Sequence, residues 1–207
     1  MFDKKREFTA REKAYFQVPI GSSAEHQVSI LHETEVVLNS QMEWIMDHAG
    51  VFKAAFVGPL GNDLLFFQAS KDEVSLQGLE RFSKINFSID DDGFFTIGGH
   101  WLGLKPGEIP CFLKGTFPLD WLQKANLYEY AHDHQVILVD DSQRDIRVDL
   151  YSNPKKEIIK KCIHISWNVF WIFKKYRIDI CYENSPDRPI NFNFDDEYMA
   201  NVLLLDD

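Results

Sequence analysis

Cysteine is scarce in this chain, with Cys111, Cys162 and Cys181 the only three among 207 residues. The count is odd, the three lie far apart, and no C-x-x-C or mixed Cys/His ligand spacing occurs. That pattern excludes a structural zinc motif, suggests no disulfide framework, and makes a reducing cytoplasm the expected compartment. Long apolar runs are missing too. The richest stretch, Ile163 to Phe173, is interrupted by His164, Ser166 and Asn168 and is too short to span a bilayer. Met1-Phe-Asp-Lys-Lys-Arg-Glu7 carries charge where a signal peptide needs an apolar core.

Positive charge is also in short supply. Lys and Arg number 22 against 32 Asp and Glu, a formal charge of −10. Such a balance disfavours nucleic acid and anionic membranes and leaves a basic protein as the fitting partner. The standard catalytic signatures are absent: no G-x-x-x-x-G-K-[ST], no G-x-S-x-G and no H-E-x-x-H. No cofactor is expected.

Aromatics are plentiful, at 14% with 17 Phe, and hydrophobic residues make up 45%. A sizeable core is therefore available, and one domain over residues 1–207 is expected. Thr9-Ala-Arg-Glu12 has the capping-box form and predicts a short helix before Pro19. Ser22-Ser-Ala-Glu25 repeats that form. After it, Val28, Leu31, Glu35, Leu38, Met42, Ile45 and Ala49 step by threes and fours to Gly50, which predicts a long amphipathic helix as an N-terminal layer over 1–50. Residues 51–207 read as mixed sheet and helices.

Phe52 to Val57 and Leu64 to Gln68 flank Gly58-Pro-Leu-Gly-Asn-Asp63 and read as a hairpin. Strands are expected at Phe94 to Ile97, Cys111 to Lys114, Gln135 to Val139, Asp145 to Tyr151, Tyr176 to Glu183 and Ile190 to Phe194. Helices are expected at Asp72 to Ile85, Leu119 to His132, Asn153 to Lys174 and Asp195 to Leu205. Asn184 to Pro189 reads as a loop. The class that follows is α+β, a largely antiparallel sheet packed against several helices.

Three clusters look chemical and have plainer explanations. Tyr130-Ala-His132-Asp133-His134 resembles a metal ligand set, but at a helix end the histidines serve as C-terminal caps. Asp90-Asp91-Asp92-Gly93 lacks both anchoring ligands of a calcium loop and reads as a turn. His100 among Gly98, Gly99 and Gly103 reads as turn geometry.

The acidic group is more informative. Asp140 and Asp141 end one strand, Asp145 and Asp149 share a face of the next with Arg147 between them, and Asp179 lies on the polar side of another. The primary expectation is a non-catalytic inhibitor or immunity-type protein. Its acidic face of Asp140, Asp141, Asp145, Asp149 and Asp179 would neutralise a basic partner such as a toxin or nuclease. The alternative is a metal-dependent phosphoryl-transfer or hydrolytic enzyme using Asp140, Asp141 and Asp149.

Overall fold

A period of two, not the helical period, governs most of this chain. The computed structural model describes residues 4–17, 20–32, 35–58, 63–78, 87–97, 100–169, 174–183, 190–194 and 198–205. Two minor strands come first, β1 (Lys4–Arg6) and β2 (Phe16–Gln17). Two long ones follow as an antiparallel pair, β3 (Ser22–His32) and β4 (Glu35–Met46). Along β4, Ser40, Met42, Trp44 and Met46 alternate into the interior, and His26 and Val28 do so along β3.

The N-terminal helix expected over 22–50 therefore does not form, and the chain is mostly antiparallel β rather than α+β. Helical steps through Val28, Leu31, Leu38, Met42 and Ile45 leave Trp44 and Met46 without a role. The strand period accounts for both, and Ile45 is in fact 44% exposed. Among the described residues the helices are short: α1 (Ala10–Lys13), α2 (Glu108–Leu113) and α3 (Trp121–Lys124). The first carries the expected capping box at Thr9 and Glu12. None is long and apolar enough to cross a membrane.

The first meander continues through β5 (Phe52–Val57), β6 (Asp63–Ala69) and β7 (Val74–Gly78). A small sheet follows, β8 (Phe87–Ile89), β9 (Phe95–Ile97) and β10 (His100–Trp101), and β11 (Phe117–Pro118) pairs with β2. A second meander runs through β12 (Ala125–Ala131), β13 (His134–Asp140), β14 (Asp145–Ser152), β15 (Ile158–Val169), β16 (Lys174–Glu183), β17 (Ile190–Phe194) and β18 (Tyr198–Leu204). Pairing of β18 with β3 joins the two meanders, and β1 adds to β12. One sheet results, ordered β1-β12-β13-β14-β15-β16-β17-β18-β3-β4-β5-β6-β7.

Four more helical expectations give way to strands. Val74–Gly78 is β7, while residues 79–86 of that expected helix lie outside the described residues. Leu119 to His132 holds only the single turn of α3 before β12. The stretch after Asn153-Pro154 is a turn in which the Asn153 side chain accepts from the Lys155 and Glu157 amides, and β15 follows it. At the C-terminus Tyr198–Leu204 is β18, while 195–197 are not among the described residues. The hairpin turn at 59–62, the pair Gly98-Gly99 and the loop at 184–189 also lie outside them.

Conversely, Cys111 to Lys114 is not a strand but the second half of α2 with its C-cap, Lys114. Pro110 is compatible with a helix there because it sits in the first turn. This helix lies against the inner face of the sheet. Cys111 and Phe112 pack with Ile163, Ile165, Trp167 and Ile180 in one core cluster, while Leu113 packs with Val28, Trp44 and Phe52 in the other. Tyr182 Oη donates to the Phe112 carbonyl at 2.7 Å, tying α2 to β16.

Candidate functional site

On β14 Ile146, Val148 and Leu150 face the core, which leaves Asp145, Arg147 and Asp149 on the outer face, as the alternation predicts. Cross-strand register then assembles the neighbours. Arg147 stands opposite His164 on β15, and His164 opposite Asp179 on β16. His134 begins β13 and reaches Asp149, with its Nε2 2.5 Å from Asp149 Oδ1. Its ring stacks on Tyr151 at a centroid distance of 4.5 Å.

Asp149 is the centre of this network. Arg147 donates to it from Nε and Nη2, both at 2.7 Å, and His164 Nε2 lies 3.4 Å from Oδ2. Burial alone would raise the pKa of this carboxyl, but hydrogen bonds from His164, Arg147 and His134 outweigh it and hold it well below the usual carboxylate range. The other nitrogen of His164 lies 2.6 Å from Asp179, which also pairs with Arg177 at 2.8 Å. His164, held between Asp149 and Asp179, has its pKa raised, with the Asp149 hydrogen bond the largest cause.

Asp140, Asp145, Asp149 and Asp179 thus share the outer face, Asp140 standing opposite Asp145 in the β13–β14 register. Asp141 does not join them. It lies in the β13–β14 turn, where it accepts from Arg144. Three of these four acids are paired with a cation: Asp145 with Lys175, Asp149 with Arg147, and Asp179 with Arg177. Cys162 and Cys181 stand opposite each other on this face and form a disulfide, correcting the expectation of none.

The geometry also bears on the metal-dependent alternative. Asp149 lies four residues along β14 from Asp145, so about 13 Å of strand separates its level from Asp140. Two metal ions acting on one phosphoryl group sit only about 4 Å apart. Among the described residues no group of three or more His, Cys, Asp or Glu side chains is placed to hold a metal.

A second network lies beneath the β13–β14 turn. Arg144 Nη1 donates to Glu108 Oε2 and to the Gly103 carbonyl, both at 2.8 Å, and Nη2 donates to Glu108 Oε1 and Asp141 Oδ2, both at 2.9 Å. The Arg144 and Glu108 side chains are almost wholly buried. Trp121 Nε1 and the Lys105 amide complete the shell of Glu108. Gly103 has φ +66°, and a Cβ there would lie 2.5 Å from the Trp167 ring, so only glycine fits the approach.

Comparison with protein-family models, with curated proteins and with solved structures finds no match for this chain.

Several of these residues escape a reading of the sequence. The assignment of His134 to a helix end places it away from Asp149, and the helix assigned to 153–174 removes His164 from the outer face. One signal for His164 was present: it alternates with Ile163, Ile165 and Trp167, in step with Ser166 and Asn168. Arg144 and Glu108 are 36 residues apart, and no local pattern links them.

Proposed function

We propose that this protein is a non-catalytic binding protein that engages another protein through the outer face of β13–β16. One observation carries the reading: Arg147 and Arg177 are about half exposed, at 46% and 50%, while the carboxylates that orient them are buried or nearly so, at 4% and 18%. A guanidinium held this way loses little side-chain entropy on docking and keeps part of its fork towards solvent. Exposed Tyr130 and stacked Tyr151 add residues of the kind that dominate interface energetics.

The partner's charge enters at a different stage. A net charge of −10 attracts a basic protein during encounter, favouring the inhibitor or immunity-type role. Most carboxylates of the docking face are already paired, so the final contacts fall on arginine, histidine and tyrosine.

The test is capture of a partner by cross-linking, followed by affinity measurement with the purified pair. Arg177→Ala and Tyr130→Ala change exposed side chains and should fold normally. Each should weaken binding at least tenfold, about 1.4 kcal/mol. Wild-type affinity in both variants, or hydrogen-exchange protection on the β3–β7 half instead, would place the interface elsewhere.

A further inference from the structure

A cavity of about 570 Å³ opens between the end of β4, the segment leading into α2 and the link from β11 to α3, within the size range of small-molecule sites. Its floor is apolar, with Met46, Cys111 and Pro118 buried there. Ile20 and Leu119 also line it, and both keep much of their surface open to solvent, at 47% and 45%. Gly50, Gly93 and Gly107 belong to the same wall, and nothing lies within 4 Å of where a Cβ of any of them would stand. At three places, then, the wall is cut back to backbone and leaves room for a guest.

The polar groups of the wall are engaged elsewhere or matched in charge. The Cys111 thiol donates to the Gln17 and Gly107 carbonyls, at 3.5 and 3.6 Å. Glu108 turns its carboxylate to Arg144, Trp121 and the Lys105 amide. Of the remaining charges, Lys71 and Lys105 equal Asp92 and Asp120 in number, so neither an anion nor a cation gains a net attraction. Ordered water needs several polar partners, and this floor offers few. An uncharged guest with an apolar body removes its own surface from water together with that of Ile20 and Leu119. We infer that this cavity is a binding site for an uncharged, largely apolar small molecule of the size of an aliphatic or aromatic alcohol, seated over Met46 between Ile20 and Leu119.

None of the lining residues belongs to the outer face of β13–β16, so this inference and the protein-binding reading stand or fall separately. The experiment is an NMR titration of the full chain labelled at its methionine methyl groups. The Met46 resonance is assigned by its loss in Met46→Leu. Probes are hexanol and benzyl alcohol, each beside the carboxylate and the ammonium of the same skeleton. At least one alcohol should shift the Met46 resonance saturably while that of Met199, exposed on β18, stays in place. Its charged counterparts should bind about tenfold more weakly, because each must shed water without gaining a partner. Gly107 has φ −70°, open to any residue, so Gly107→Leu puts a side chain into the empty space without straining the backbone. It should weaken the same alcohol about tenfold. Leu119→Ser alters an exposed side chain, should leave the melting temperature of the free protein unchanged, and should weaken the alcohol severalfold, which keeps the test open if Gly107→Leu folds poorly. Tighter binding of a carboxylate would make this an anion site at Lys71 and Lys105, and tighter binding of an ammonium a cation site at Asp92 and Asp120. Either result overturns the inference, as does a Met46 resonance unmoved by both alcohols, or an affinity that neither variant changes.

Discussion

Asp149 takes both forks of Arg147, Nε at 2.7 Å on Oδ2 and Nη2 at 2.7 Å on Oδ1. The carboxylate is buried and the guanidinium half exposed, so the pair straddles the surface. Replacing the acid with its amide keeps the shape and removes the charge. Asp149→Asn should cost on the order of 3 kcal/mol in urea unfolding, the low end for a buried pair because Arg147 keeps some water. The pH dependence has a definite sign. A carboxyl whose folded pKa is depressed contributes stability above its unfolded value of 3.8 and loses it as pH falls. The wild type should therefore destabilise steeply below about pH 4, and Asp149→Asn should flatten that acid limb. Parallel limbs in the two proteins would show that Asp149 is not tied to its cations.

His164 works in the opposite direction. Its folded pKa is raised above 6.5 by Asp149 and Asp179, so its contribution is complete at lower pH and is lost as pH rises through the folded value. His164→Gln should lower the melting temperature clearly at pH 6 and much less at pH 9. An equal deficit at both would mean that the imidazole acts by packing alone.

The Arg144–Glu108 pair is buried on both sides and held bidentately. Glu108→Gln leaves a buried guanidinium with Asp141 as its one charged partner among the described residues. The expected loss is about 3–5 kcal/mol by urea unfolding. A loss under about 1 kcal/mol would match a surface pair and contradict the burial.

The disulfide makes a count and an energy. Thiol titration of unreduced, denatured protein should find one free cysteine, Cys111, whose burial pushes its pKa up to about 12 and leaves it inert in the native state. Cys162 and Cys181 are 19 residues apart, so reduction should lower stability by about 3 kcal/mol on the chain-entropy account. Three free thiols would refute the bridge.

Strand assignments succeed where polar and apolar residues alternate strictly, as in Asp145 to Tyr151 and Ile190 to Phe194. There the parity of each side chain, including the shared face of Asp145, Arg147 and Asp149, can be read directly. They fail where apolar residues are spaced by threes and fours as well as by twos. Met42 and Ile45 of β4 fit helical steps as readily as strand steps, whereas β13 is legible as a strand although Val136 and Ile137 are both buried at adjacent positions.

The chain by itself determined its charge, its aromatic supply, the outward parity of the β14 acids and the capping box at Thr9. Each is a local property, set by residues within one turn or one strand. Only the tertiary structure decided that Asp149 would be gripped by His134, Arg147 and His164, that Cys162 would meet Cys181, and that Arg144 would be buried against Glu108. A helix closes its hydrogen bonds within four residues, whereas a strand must borrow its partner from elsewhere in the chain. In a protein built of paired strands, the neighbours of any outward side chain therefore depend on register with another strand. No local pattern records that register.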